Sequence, residues 1–173
     1  MKKTIALLSL LILVAACQQK HEQSGQNLSP AGSTPSIVDV NNLREVVKNY
    51  PKNVNAWIEL GNILMDSERY SEAADSYQKA LDLEPKNVDV RVDMGTCYRN
   101  LGNPNKAVEE YKKALQINPN HLNGHKNLGI VLALDLKEGA EAKGELEKYL
   151  QLAPNAPDAE KIKQLILQTK IGK

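Results

Sequence analysis

The sequence contains no phenylalanine and a single tryptophan, Trp57, and aromatic residues make up only 4% of it. Leu, Ile, Val and Ala must therefore fill the core. Strands of sandwiches and barrels favour β-branched and aromatic residues, whereas an aliphatic composition suits helices. The composition thus favours an all-helical domain.

Neither sign of charge dominates the sequence, which carries a formal net charge of +1. Loss of Lys2 and Lys3 with an N-terminal signal would leave 20 basic residues against 21 acidic ones. A nucleic-acid-binding domain normally has a clearly basic face. We therefore expect no nucleic-acid partner.

The sequence also lacks the residue sets of a catalytic or metal site. It has no Gly-rich phosphate loop and no Ser/His/Asp set. His121 and His125 are four residues apart, a spacing that can hold a metal, but no Cys, Asp or Glu nearby completes the set. Cys97 lies at an apolar helix position and is expected in the core. We expect no enzyme activity, no metal and no cofactor.

The N-terminus has the features of an export signal. Lys2 and Lys3 precede an uncharged apolar stretch, residues 4–14, that is too short to span a bilayer comfortably. Val14-Ala15-Ala16-Cys17 follows, and it resembles the lipobox of bacterial lipoproteins. The resemblance implies a signal peptide of residues 1–16 and lipidation of Cys17. A plain secretory signal that happens to contain a cysteine is the alternative.

Residues 17–36 are predicted to be the lipidated cysteine and a flexible tether. Residues 18–36 are rich in Gln, Ser, Gly, Asn and Pro and contain few apolar residues. Such a segment cannot bury enough apolar surface to adopt an ordered structure. A coil of this length spans roughly 25 Å. Gln18, rather than aspartate, follows the cysteine. By resemblance to lipoproteins, this implies the periplasmic face of the outer membrane in a two-membrane cell, and otherwise the outer face of the cell membrane.

An internal repeat occupies most of the remaining chain. Gly61, Gly95 and Gly129 are equally spaced, and the same interval separates other residues of matching type. These are Pro51, Pro85 and Pro119; Ala73 and Ala107; and Tyr77 and Tyr111; the next members, Pro154, Ala142 and Leu146, each come one residue later than the interval gives. A period of about 34 residues, with small, large and proline residues at set positions, is typical of a helix–turn–helix array.

The repeat resembles the tetratricopeptide repeat (TPR), whose pattern the first unit carries through Trp57, Leu60, Gly61, Ala73 and Tyr77. The resemblance implies an all-α, right-handed superhelix (an α-solenoid). We expect a half-repeat helix in residues 37–53, repeats in 54–87, 88–121 and 122–156, and a capping helix and tail in 157–173. The third unit has one extra residue, placed in the turn near Lys137–Gly139. Tyr149 replaces a small residue, so the last interface should be looser or reshaped.

In this family the first helix of each unit lines a concave groove that binds ligands. The residues implied for the groove are Asn55, Ile58, Asn62, Met65, Asp89, Val92, Thr96, Arg99, Asn123, Lys126, Asn127 and Ile130. Their mixed character suits an extended peptide or an amphipathic helix. One family variant clamps a C-terminal carboxylate. Ile58 stands where that variant has a lysine, and Asp93 where it has an asparagine, so we do not expect that mode.

The resemblance implies a membrane-anchored adaptor that binds a peptide or helix of a partner protein and assists assembly of an envelope complex. Similar TPR lipoproteins serve type IV pilus assembly, and related repeat proteins serve cytochrome c maturation. The alternative is a structural spacer or oligomerisation module whose groove is filled by its own tail or by a second copy.

Overall fold

Helices form nearly all of the part of the chain that the structure describes. The computed structural model describes residues 37–171, with side chains for residues 39–169. The predicted signal, Cys17 and the tether lie outside this range. The helices are α1 (Ile37–Asn49), α2 (Val54–Asp66), α3 (Tyr70–Leu83), α4 (Val88–Asn100), α5 (Pro104–Ile117), α6 (Leu122–Val131, continued by a π-helical turn Leu132–Leu136), α7 (Gly139–Leu152) and α8 (Ala159–Ile171).

Each helix packs against the next one along the chain, and α2–α3, α4–α5 and α6–α7 form the three helix pairs of the repeat. Helix α1 covers α2 at one end and α8 covers α7 at the other, while α4 also contacts α6. The predicted all-α array, with a half-repeat helix before it and a capping helix after it, is confirmed. No helix within residues 37–171 has the length and apolar character needed to cross a bilayer.

Proline ends the second helix of each unit. Helices α1, α3, α5 and α7 all end two residues before Pro51, Pro85, Pro119 and Pro154. The residue before a proline is disfavoured in the helical region, so the helix stops there. The first helix of the next unit begins three residues after Pro51, Pro85 and Pro119, which places α2, α4 and α6 in the same register.

Small residues allow the two helices of each pair to approach closely. A Cβ atom on Gly61 would lie 2.5 Å from Cε1 of Tyr77, and one on Gly95 would lie 2.6 Å from Cε1 of Tyr111. On Gly129 it would lie 2.6 Å from Cγ of Leu146. Real Cβ contacts are not this short, so each helix pair requires glycine where the large residue of the second helix crosses it.

The extra residue of the third unit lies in the last turn of α6, which corrects the prediction of a longer turn near Lys137–Gly139. In the first two units the turn is closed by Arg69 N donating to Leu64 O and by Asn103 N donating to Tyr98 O. In the third unit Glu138 N donates to Leu132 O at 2.8 Å, across one more residue. The last turn of the helix widens into a π-helical turn, and this wider turn accommodates the extra residue.

The interface with the capping helix is reshaped around Tyr149. The ring of Tyr149 is buried with Leu146, Ile162 and Ile166 between α7 and α8. Its hydroxyl donates a hydrogen bond to Oδ1 of Asp158, just before α8. Tyr149 thus attaches α8 to α7.

Candidate protein-binding groove

The groove is formed by one face of the first helices α2, α4 and α6, called here the first-helix face. Each of these helices begins in the same way, because a side chain before it accepts a hydrogen bond from a backbone N–H of the first turn. Asn53 accepts from Ala56 N, Asn87 from Val90 N, and His121, through Nδ1, from Gly124 N. Because the three helices begin in the same way, their equivalent positions lie side by side.

The predicted groove residues differ widely in exposure. Four are exposed: Asn55, Asn62, Asp89 and Asn123. Seven are half-buried: Ile58, Met65, Thr96, Arg99, Lys126, Asn127 and Ile130. The first-helix face is therefore a polar surface with apolar side chains set partly into it, and all three helices contribute accessible residues to it.

Val92 does not belong to this surface, contrary to the sequence-based prediction. Its side chain is only 3% exposed and lies in a core cluster with Ala107, Leu128 and Val131. Helix α4 is the middle first helix, and α5 and α6 both pack on it. The position that carries Ile58 on α2 is consequently covered on α4 by the next unit.

The two predicted groove cations are engaged by acids of the following segment. Arg99 Nε donates to Oδ2 of Asp135 at 2.6 Å, which joins α4 to the π-helical turn. Lys126 Nζ donates to Oδ2 of Asp158 at 3.2 Å and lies 5.5 Å from the centre of the Tyr149 ring. These contacts neutralise both cations, and they hold successive units together.

Tyrosine hydroxyls from the second helices reach the floor of the groove. The Tyr77 hydroxyl donates to Oδ1 of Asn62 at 2.8 Å, and the Tyr111 hydroxyl lies 3.1 Å from Oγ1 of Thr96. The sequence identified both tyrosines only as members of the repeat. Leu146 takes this place in the third unit, against Ile130, so the floor changes from polar to apolar along the array. The polar residues at 62 and 96 were the signal that could have revealed the contact.

Negative charge accumulates on the first helices α2 and α4. Burial and, to a smaller extent, the charge of the neighbouring Asp89 raise the pKa of Asp93 to about 6, while His121 opposes the shift. Burial also raises the pKa of Tyr77, with smaller contributions from the charges of Asp93 and Asp66.

Replacing Asp93 with asparagine is expected to stabilise the protein at pH 7.5. A carboxyl whose pKa is raised on folding contributes stability below its unfolded pKa of 3.8, and this contribution is lost as pH rises through about 6. At pH 7.5 the ionised group should cost about 1–3 kcal/mol. Urea unfolding of both proteins should show a difference that disappears towards pH 4. Asp82→Asn, on the exposed side of α3, is the matched control, and an equal pH dependence in both variants would contradict the prediction.

The two histidines that suggested a metal have separate partners. His121 caps α6 through Nδ1, and its Nε2 lies 2.8 Å from Oδ1 of Asp89. His125 Nδ1 lies 2.6 Å from Oε2 of Glu145, and its Nε2 lies 2.9 Å from the carbonyl oxygen of Pro119. The rings therefore do not share a ligand position. No group of three or more His, Cys, Asp or Glu side chains among the described residues is placed to hold a metal.

Cys97 lies in the core, as the sequence predicted. It is fully buried on α4, and burial raises the pKa of its thiol to about 12. The thiol thus stays protonated at neutral pH and has the character of a small apolar side chain.

Comparison with known proteins agrees with this architecture. Residues 64–121 match the family model for the tetratricopeptide repeat. No curated protein sequence matches the chain. A crystal structure of MamA superposes with a TM-score of 0.65 and 19% identity, covering 76% of this chain and 86% of MamA.

Two further solved structures share the fold. The first TPR of Spaghetti (RPAP3), bound to an HSP90 peptide, has a TM-score of 0.63 and 24% identity, covering 68% of this chain and 95% of that one. The Sgt2 TPR domain from Aspergillus fumigatus has a TM-score of 0.61 and 27% identity, covering 68% of this chain and 76% of that one. The described helices thus have the fold of stacked tetratricopeptide repeats.

Proposed function

We propose that this tetratricopeptide-repeat protein is a membrane-anchored adaptor that binds a peptide or helix of a partner protein on its first-helix face and assists assembly of an envelope complex. The observation that carries the proposal is the accessible row of side chains on α2 and α4. Asn55, Asn62 and Asp89 are exposed beside the half-buried Ile58 and Met65. Apolar pockets flanked by hydrogen-bonding groups are the surface that a bound peptide requires.

A protein of the same fold supports a peptide as the partner. The first TPR of Spaghetti is bound to the HSP90 peptide SRMEEVD in its solved structure. Because that peptide is acidic and ends in a carboxylate, its recognition needs free cations. Ile58 is apolar, and Arg99 and Lys126 are already paired with Asp135 and Asp158. The proposed partner therefore binds in another chemical mode.

Site-specific photo-crosslinking in cells tests the groove. A photoreactive residue in place of Asn55, exposed on α2, is expected to crosslink a partner protein. The same residue in place of Glu109, exposed on α5 away from the first-helix face, is the control. Equal products from both positions, or a product from Glu109 alone, would contradict binding in the groove.

The membrane anchor rests on residues 14–17, where the apolar stretch and two alanines lead into Cys17. Cys17→Ser should prevent lipidation, because only a thiol accepts the lipid, and the protein should move from the membrane fraction to the soluble fraction. Cys97→Ala changes the other cysteine and should leave the protein with the membrane. Retention of the Cys17→Ser protein in washed membranes would reject the anchor.

One observation favours the alternative, a module whose groove is filled by its own chain. Ile130, on the first-helix face of α6, packs against the cluster of Leu146, Tyr149, Ile162 and Ile166 between α7 and α8. The capping helix therefore covers part of the third unit, while the exposed residues of α2 and α4 remain accessible. A crosslinked product from Asn55 with twice the mass of the chain would favour the oligomerisation module over the adaptor.

A further inference from the structure

We propose that the partner segment bound on the first-helix face is basic, with lysine or arginine side chains next to apolar ones. This inference rests on the proposed function and adds the chemical class of the partner. It depends on a difference between the acids and the cations of the groove. The acids of α2 and α4 are left for a ligand, whereas the cations are used within the fold.

Four acids lie on α2 and α4, and two of them occupy equivalent positions of their repeats. Glu59 on α2 and Asp93 on α4 are separated by one repeat length, so both lie at the same position of their repeats. Asp66 is the last residue of α2 and is exposed, and the Asp89 side chain in the first turn of α4 is 84% exposed. Among the described residues, no ion pair engages Glu59, Asp66 or Asp93, and Asp89 contacts only the His121 ring.

The cations of the first helices α4 and α6 do not balance this charge. Arg99 and Lys126 are each within 3.2 Å of a carboxylate of the next segment, Asp135 and Asp158 respectively. Arg91 bonds the carbonyl of Pro85 and the carboxylate of Glu110 on α5. A ligand would have to break an existing ion pair to reach Arg99 or Lys126. Within the part of the chain that the structure describes, no such pair has to be broken to reach Asp66 or Asp93.

Charge complementarity therefore favours a basic ligand over an acidic one. An acidic segment would meet like charges along α2 and α4, and juxtaposed like charges suppress binding of a wrong partner. A lysine or arginine beside either Asp66 or Asp93 would form an ion pair, and at the half-buried Asp93 this pair would be partly removed from water. The half-buried Ile58 and Met65 lie on the same helix as Asp66, so a basic residue next to an apolar one fits the surface.

Selection from a random library of short peptides displayed on phage tests the inference with the full-length protein in detergent micelles. Selected peptides are expected to carry a net positive charge and at least one large apolar residue. Their affinity should fall by about tenfold between roughly 50 and 300 mM salt, because partly exposed ion pairs are screened. They should crosslink from the photoreactive residue at position 55.

Two double variants distinguish an effect of the groove acids on binding from an effect of the total charge of the protein. Asp66→Asn with Asp93→Asn should weaken binding of a selected peptide by about tenfold, while Glu84→Gln with Glu109→Gln should change it less than about twofold. Both variants remove two negative charges, but Glu84 and Glu109 are exposed residues at the end of α3 and on α5. Equal affinities of the two variants would overturn the inference.

The outcomes distinguish this inference from the proposed function. Acidic or uncharged peptides that crosslink from position 55 would overturn the basic preference and leave the groove as the binding site. Failure to select any peptide, or selection of peptides that crosslink only from position 109, would overturn both.

Discussion

Gly95→Ala is expected to lower the free energy of unfolding by about 1–3 kcal/mol, and Gly95→Leu by more, because a side chain there overpacks the contact between α4 and α5. The added Cβ would lie 2.6 Å from Cε1 and 2.9 Å from Cδ1 of Tyr111. That ring is 1% exposed and its hydroxyl is hydrogen-bonded to Thr96, so it cannot move aside freely. The two helices must separate instead. Thermal or urea unfolding monitored by circular dichroism measures the loss.

Gly144 provides the matched control within the same fold. It lies inside α7, and a Cβ added there would meet nothing within 4 Å. Gly144→Ala should therefore stabilise the protein by about 0.5–1 kcal/mol, the usual gain of alanine over glycine in a helix. The same glycine-to-alanine change should thus lower the free energy of unfolding at position 95 and raise it at position 144. If both variants proved stabilising, the close approach at Gly95 would be wrong.

Glu110→Ser is expected to destabilise the protein by about 3 kcal/mol, because it leaves the Arg91 guanidinium without its acid in a buried place. Arg91 Nη1 and Glu110 Oε2 are 2.7 Å apart, with side chains only 15% and 9% exposed. A second guanidinium nitrogen of Arg91 donates to the carbonyl oxygen of Pro85 at 2.9 Å. The charge therefore cannot turn towards water without losing that bond. Urea unfolding at neutral pH measures the cost.

The first repeat supplies a rescue for this variant. Trp57 and Ser76 occupy the places of Arg91 and Glu110, and Trp57 Nε1 donates to the carbonyl of Pro51 at 2.9 Å. Arg91→Trp in the Glu110→Ser background keeps the donor to Pro85 and removes the unpaired charge. The double variant should recover at least about half of the lost stability. If the stability losses of Glu110→Ser and Arg91→Trp simply added in the double variant, the unpaired Arg91 charge would not be the source of the destabilisation.

The repeats also show how one structural role can be filled by different chemistry. Trp57, Arg91 and His125 stand at the same position of successive repeats, and each places a ring or guanidinium nitrogen 2.9 Å from the carbonyl oxygen of the proline six residues earlier. Arg91 and His125 differ in chemistry from the Trp57 of the first unit. In the structure, all three side chains fasten the first helix to the end of the preceding one.

The groove shows where sequence reasoning is limited. The repeat period predicted which positions of the first helices lie together, and eleven of the twelve predicted residues keep some exposure. It did not predict that α6 would cover Val92, or that Tyr77 and Tyr111 would reach Asn62 and Thr96. A period identifies equivalent positions, but exposure at each depends on what the neighbouring unit places over it.

The sequence by itself determined the helix pairs, most of their ends and the close contact within each pair. These features depend on residues within one repeat, such as a glycine opposite a large residue or a proline that stops a helix, and they recur in all three units. The end of α6 is the exception, because the extra residue was expected in the turn and lies in the helix. Only the tertiary structure decided which charges of the groove remain available. Arg99 meets Asp135 and Lys126 meets Asp158 across 36 and 32 residues, because stacking of successive units, and not the local pattern, brings those side chains within reach.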